Sequence, residues 1–239
     1  MSSRPDLRLD WCSHAAAKYA CERWHYSRST PAGKTVRVGV WEEGEFAGVV
    51  LFARGANPHI GSDFGLAQTQ CVELVRVALT HHAAPVSRIV AIACRMVAKA
   101  NSGLRLIISF ADPNEGHVGT IYQAAGWLYS GHGSEDKRVR PYRTRGGQIQ
   151  HWRTVAGWLS KHGRPSTVDA AREAGFVPLE HTPKYRYLMP LDDAMRAQIE
   201  PLRKPYPKRA KQASASDQDV CGGAAPTCTL QTSEATLAP

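Results

Sequence analysis

The sequence predicts a mixed α/β domain built around a single sheet, and three observations carry that prediction. Valine-rich segments at Thr35–Trp41 and Phe46–Ala53 flank the turn Glu42-Glu43-Gly44-Glu45 and read as a hairpin. The apolar strands Val72–Leu79 and Leu104–Phe110 bracket a stretch of helical composition, 86–100, which makes a parallel strand–helix–strand crossover. The 239 residues suffice for one core with appendages.

Taken in order, residues 11–23 (WCSHAAAKYACER) predict a helix, alanine-rich and without a breaker. Trp24-His25-Tyr26-Ser27 follows on a connection that ends in the turn Pro31-Ala32-Gly33, and the hairpin comes next. Residues 54–68 carry glycine, proline and asparagine and predict a long loop, a place where function is often found. Gly103 stops the 86–100 helix, and Asp112-Pro113-Asn114 makes a turn after the second apolar strand. A short helix is predicted within 116–126 and a strand from Trp127 to Ser130.

Between 131 and 165 the composition changes. Lys137, Arg138, Arg140, Arg143, Arg145, Arg153 and Lys161 alternate with Tyr142, His151, Trp152 and Trp158. A helix capped by Thr167 or Ser166 follows and ends at Gly175; a last strand spans Lys184–Met189, with a short helix from Asp192 to Glu200. The expected organisation is one catalytic domain, 1–202, and a tail, 203–239, first basic and then of low complexity and disordered.

Lysine and arginine exceed aspartate and glutamate by 30 to 21, a net charge of +9 that favours a polyanionic partner. The chain has no apolar run of membrane-spanning length, and Met1–Asp10 lacks the apolar core of a signal peptide, so a cytoplasmic protein is expected. The six cysteines show no CxxC pair and no zinc spacing, and a disulfide framework is not expected in a cytoplasmic chain of this length.

Several blocks in fixed order carry a resemblance: Trp24-His25-Tyr26-Ser27, Thr35–Phe52, Arg54-Gly55-Ala56-Asn57, Cys71–Thr80, Ala84–Val90, Leu104–Pro113, Gly119–Ala124 and Lys184–Leu188. Over roughly residues 24–190 the chain resembles the Mom family of phage DNA modification proteins. The resemblance implies a GNAT-like acyltransferase fold, a single mixed sheet flanked by helices. It also implies conversion of adenine in double-stranded DNA to a carbamoylmethyl (acetamido) form that protects phage DNA from host restriction. Iron is implied as a cofactor, while the donor of the added group is left unnamed. The matching positions are His25, Tyr26, Asp112 and Tyr122, with Arg76 and Ser109 as substrate- or cofactor-binding candidates. One departure concerns acetyl-CoA. Acyltransferases of this fold cradle the coenzyme pyrophosphate on a glycine-rich Q/R-x-x-G-x-G/A loop between a strand and a helix. Here that loop is Thr80–Ser87 (THHAAPVS), which has no glycine and one proline, so acetyl-CoA is a doubtful donor.

The residue types alone leave alternatives open. His25 is a metal ligand, a base or an ordinary loop histidine. Asp112 sits where strand ends open into binding crevices, and equally where a carboxylate caps a turn. His25 and Asp112 form a tentative iron pair, with His117, Glu115, a tyrosine or water as the third ligand. Tyr122 and Tyr26 serve as proton donor, iron ligand or stacking ring, or else as core aromatics. Arg76, in an apolar strand, needs an anionic partner; Glu73, three residues away, is expected on the opposite strand face. For DNA contact the candidates are Lys137, Arg138, Arg140, Arg143, Arg145, Trp152 and Arg153, with base flipping as the route to the adenine amine. An acetyl-CoA-dependent N-acetyltransferase and a non-catalytic DNA-binding protein are the rival functions.

Overall fold

A computed structural model describes residues 5–31, 33–54, 60–133 and 140–208. In chain order the elements are β1 (Leu7–Trp11), α1 (His14–Trp24), β2 (Thr35–Glu42), β3 (Glu45–Ala53), β4 (Cys71–Leu79), α2 (Val86–Ala100), β5 (Leu106–Ala111), α3 (Thr120–Ala124) and β6 (Leu128–His132). They continue with β7 (Pro141–Arg143), β8 (Ile149–His151), α4 (Trp152–Lys161), α5 (Val168–Glu173), β9 (Val177–Pro178), β10 (Tyr185–Pro190) and α6 (Asp193–Ile199).

The expected mixed sheet flanked by helices is present. Seven strands lie in the order β1-β2-β3-β4-β5-β10-β6. Only β4 and β5 run parallel, joined by α2; the other neighbours are antiparallel. Alternation along β3 explains the layering. Val50 and Phe52 pack with Ile89, Val90, Ala93 and Val97 of α2, while Val49 and Leu51 pack with Ala17, Ala20 and Cys21 of α1. Further along, Leu106, Ile108 and Leu188 meet Met195 and Ile199 of α6. Each such buried aliphatic contributes roughly 1.5–3 kcal/mol on leaving water. An exposed ion pair such as Lys18–Glu22 contributes about 0–1 kcal/mol, so the apolar clusters hold the layers.

The structure differs from the sequence expectation in four places. β1 was not expected, and the helix predicted from residue 11 begins at His14. Ser13 is the missed signal: its Oγ accepts from Ala16 N at 3.1 Å and caps the helix. The loop predicted at 54–68 carries a 3₁₀ turn, Ser62–Phe64, whose Phe64 is buried in the core; residues 55–59 lie outside the described residues.

The basic segment 131–165 is a folded part with its own core. Its strands β7 and β8 pair with each other, and β9 adds to β7, giving a small sheet in the order β8-β7-β9. Tyr142, Val155, Leu159, Ala170, Ala171 and Phe176 fill the core between this sheet and helices α4 and α5. Thr167 caps α5 as expected, its Oγ1 accepting from Ala170 N at 3.2 Å. Last, the expected tail from 203 begins as an ordered strap. Lys204 N donates to Tyr129 O at 2.8 Å, and the Tyr206 hydroxyl donates to Trp127 O at 2.7 Å. Residues 209–239 lie outside the described residues.

Candidate active site where two parallel strands part

β4 and β5 are paired only from Cys71 to Leu74, against Leu106 to Ser109. There the register of β4 on β3 shifts: Leu74 faces Phe52 and Arg76 faces Leu51, so Val75 is an extra, bulged residue. The bulge has two effects. It turns the second half of β4 away from β5, which opens a crevice at the carboxyl ends of the parallel strands. It also resets the alternation, so Glu73 and Arg76 share a face. This corrects the expectation that they oppose each other, and the Arg76 charge acts on the Glu73 carboxyl. Burial nevertheless pushes Glu73 above its ordinary value, against the pull of Lys184 and Arg76.

His25 and Tyr26 enter from α1. His25 ends that helix, its N–H donating to Cys21 O at 3.3 Å. Arg28 turns the chain in the left-handed region (φ 49°) and its guanidinium donates to the carbonyls of Glu22 and Arg23, which fixes the turn. His25 is 8% exposed. Its Nδ1 accepts from Ser27 N at 3.1 Å and lies 2.8 Å from Ser27 Oγ. A backbone amide only donates, so the imidazole lone pair is at Nδ1 and the proton at Nε2. Burial, then the charges of Arg76, His117 and Lys184, push its pKa down to about 4. His25 is therefore a neutral hydrogen-bond donor near pH 7 rather than a ready base. The Tyr26 ring, 48% exposed, packs on His25 at 4.3 Å and on His117 at 5.4 Å between centroids.

Ser109 and Tyr122 form the floor. Ser109 Oγ donates to Leu74 O at 2.8 Å and lies 2.7 Å from the Tyr122 hydroxyl. Serine has one hydroxyl proton and the carbonyl only accepts, so Tyr122 donates to Ser109. Tyr122 also packs on Trp127 and Tyr187 at 5.0 and 5.1 Å, so the core reading of this residue holds along with any chemical one. Burial drives its phenol pKa upward, keeping the proton in place. The short helix α3 that carries Tyr122 starts at Gly119 (φ 75°), where a Cβ would strike the Tyr187 ring.

Asp112 closes the far side, and the turn-cap reading of it is realised at the end of a parallel strand. It caps the turn Pro113–Glu115, accepting from Asn114 N at 3.0 Å and Asn114 Nδ2 at 2.8 Å, and it pairs with Lys184 Nζ at 3.1 Å. Burial raises its pKa, but Asn114 and Lys184 outweigh that and hold it below the ordinary value. Asn114 also clamps the chain before β10, trading hydrogen bonds with Thr182 N and O at 3.1 and 2.8 Å. Lys184, which the sequence reading did not single out, thus touches Asp112 and influences His25 and Glu73. Its only sequence signal was a cation ahead of an alternating strand.

The candidate DNA residues are not in this crevice. Arg143, Arg145 and Arg153 are exposed around the small sheet and Arg140 is half-buried there; Lys137 and Arg138 lie outside the described residues. Trp152 is a packing residue, leaning on Tyr142 at 5.3 Å at the edge of the small core.

The residues bear on the expected iron and on the doubted acetyl-CoA. Among the described residues no three His, Cys, Asp or Glu side chains close on one point. The Asp112 carboxylate is already engaged by Lys184 and Asn114. His25 and Asp112 therefore do not make an iron site as they stand, and no step is derived through iron. The coenzyme loop is also filled. Ala83 N and Ala84 N, just ahead of α2, donate to the two carboxylate oxygens of Glu42 at 2.6 and 2.7 Å. The Ala83 amide is the chief reason that carboxyl sits below its ordinary value. Pro85 offers no N–H. The amides that would bind a pyrophosphate hold the chain's own carboxylate instead, so this loop does not fit acetyl-CoA.

A mixed sheet with a polar crevice at the parted ends of parallel strands is the build of a ligand-binding α/β domain. Residues 6–208 match the Mom protein family, and the chain belongs to that family. It is thus a member of a family of phage DNA modification proteins and acts on DNA. The structure is similar to that of a putative acetyltransferase from Acinetobacter baylyi ADP1, with 12% identity, 80% of this chain and 96% of that chain covered, and a TM-score of 0.42. No curated protein matches the chain. Among the described residues, no helix is long and apolar enough to cross a membrane.

Proposed function

We propose that the chain transfers a carbamoylmethyl group to adenine in double-stranded DNA, shielding phage DNA from host restriction. One observation supports the reading: three family-matched groups, His25 with Tyr26, Ser109 with Tyr122, and Asp112 with Lys184, lie near enough that Lys184 acts on His25 and Tyr26 acts on Tyr122, beside a half-exposed aromatic ring. Adenine's exocyclic amine is paired inside a duplex, so the base must swing out to be modified. The exposed Tyr26 ring offers it a stacking surface, worth about 1–3 kcal/mol per base. The Nε2 proton of His25 suits a ring nitrogen of the adenine or an oxygen of the donor. The ionised Asp112 and the half-buried Glu73 supply proton acceptors for the amine, whose proton leaves as the new bond to nitrogen forms and as the carbamoylmethyl carbon parts from its donor, which departs with the bonding electrons. Tyr122, its one proton given to Ser109 Oγ, fixes the floor and leaves only its oxygen lone pairs to accept.

The test is nucleoside mass spectrometry of plasmid DNA from cells expressing the protein. A deoxyadenosine heavier by a carbamoylmethyl group is expected. It should vanish with Asp112→Ala and fall at least about tenfold with Tyr122→Phe, a change that removes one buried hydrogen bond worth roughly 1 kcal/mol of stability. Unmodified adenine in cells holding folded wild-type protein would sink the reading. The acetyltransferase alternative requires saturable acetyl-CoA binding, which the Glu42-filled loop disfavours.

A further inference from the structure

The small sheet β8-β7-β9 has one face turned into its core, through Tyr142, and one turned to water. On the water side, Arg143 of β7 pairs with Ile149 of β8 on one flank and with Val177 of β9 on the other. The three side chains form a row across the strands, an arginine bracketed by two aliphatics that are 66% and 56% exposed. Neighbouring strands are about 4.8 Å apart, so the row spans about 10 Å, close to the ~12 Å width of the major groove of B-DNA.

We propose that this face is where duplex DNA lies, with Arg143 on a phosphate or base edge and Ile149 and Val177 against the groove. The proposal rests on the reading that DNA is the substrate, and it names the surface that presents it.

Charge complementarity supports the choice of partner. Arg140, Arg143, Arg145 and Arg153 have no carboxylate partner among the described residues, whereas the acids Asp169 and Glu173 on α5 are turned to Arg172 and Arg164. Continuity with the crevice supports it too. His151 lies two residues beyond Ile149 on the same face, paired across from Pro141. It feels the charge of Lys184, the partner of Asp112. A duplex on the row therefore runs toward the opening into which an adenine must swing. A second copy of the chain is the poorer occupant, because two such rows stacked about a central two-fold axis would set Arg143 against Arg143.

The experiment uses the full chain and a fluorescein-labelled, adenine-containing duplex, with binding read by anisotropy over a salt series. Arg143→Ala should weaken binding about 3–10-fold near physiological salt and lower the salt slope by about one. Ile149→Ser with Val177→Ser should weaken it by about tenfold or more and leave the slope unchanged, since no charge is removed. All three side chains are exposed, so thermal melts should coincide with wild type. Independently, adding duplex to wild-type protein should slow hydrogen exchange in 141–143, 149–151 and 177–178. Wild-type affinity in these variants, an equal effect from the control Arg172→Ala, or unchanged exchange would each overturn the proposal. Light scattering that shows a dimer lost in the serine variant would also overturn it, giving the face to a second copy. The two readings fail separately: face variants that bind and modify DNA like wild type remove this surface alone. Duplex held on this face while adenine stays unmodified removes the modification reading alone.

Discussion

His25 shows how neighbours set a residue's chemistry. Its folded pKa of about 4 lies below the roughly 6.5 of an unfolded histidine. Between those values the unfolded chain binds more protons, so this residue's stabilising effect is full above about pH 6.5 and is lost as the pH falls toward 4. Replacing it with glutamine should flatten that dependence. Melting temperatures measured from pH 7 to 4.5 are expected to drop more steeply for wild type than for His25→Gln. Equal slopes would mean that the imidazole is not held neutral by the fold. At this scale the sequence was informative where a side chain stood in a recognisable block, as with His25, Tyr26, Asp112 and Tyr122. It placed Glu73 and Lys184 inside such blocks without marking them as site residues, because their importance comes from neighbours distant in the chain. Asp112 was legible as two roles, of which the structure shows the turn cap.

At the scale of elements, strong periodicity was readable and irregularity was not. The β2–β3 hairpin, the α2 crossover and the Thr167 cap follow from valine runs, apolar spacing and a hydroxyl at the right place. The Val75 bulge has no such mark, because an extra residue in VELVRVAL leaves composition and alternation looking ordinary; yet it opens the crevice and brings Glu73 and Arg76 to one face. The small sheet was hidden for a different reason. Its strands are two or three residues long, too short to show a period, and its arginines mask the apolar positions Trp152, Val155 and Leu159 of α4. Those positions predict its stability. Leu159→Ala should cost about 2–5 kcal/mol locally. Thermal unfolding followed by hydrogen exchange is expected to show 140–181 loosening first while the amides of β2–β5 stay protected. Simultaneous loss of protection in both would show that the two cores fold as one unit.

For the whole molecule, the proposed function divides between the seven-stranded sheet and the small sheet. The large one holds the crevice residues on strand ends and helix ends that its apolar clusters fix in place. The small one carries arginines that have no carboxylate partner among the described residues. The net charge of +9 pointed to a polyanion but could not say which surface meets it, since charge totals carry no position.

The join between the two parts has a consequence for how such proteins diversify. The small sheet leaves the large one after β6 and returns at β10, neighbouring strands of the main sheet. Gly133 N meets Lys184 O at 2.8 Å across that neck, and His132 Nδ1 lies 3.0 Å from Pro183 O. An insertion whose two ends meet can be exchanged like a cassette. Residues 134–183 of another family member, grafted onto this neck, are expected to leave the chemistry intact while shifting which adenines are chosen. Sequencing of modified positions in plasmid DNA would detect that shift, and unchanged positions would mean that target choice resides in the crevice itself. Selection could then retune the choice of target by replacing one peripheral module while the older chemical centre stays as it is.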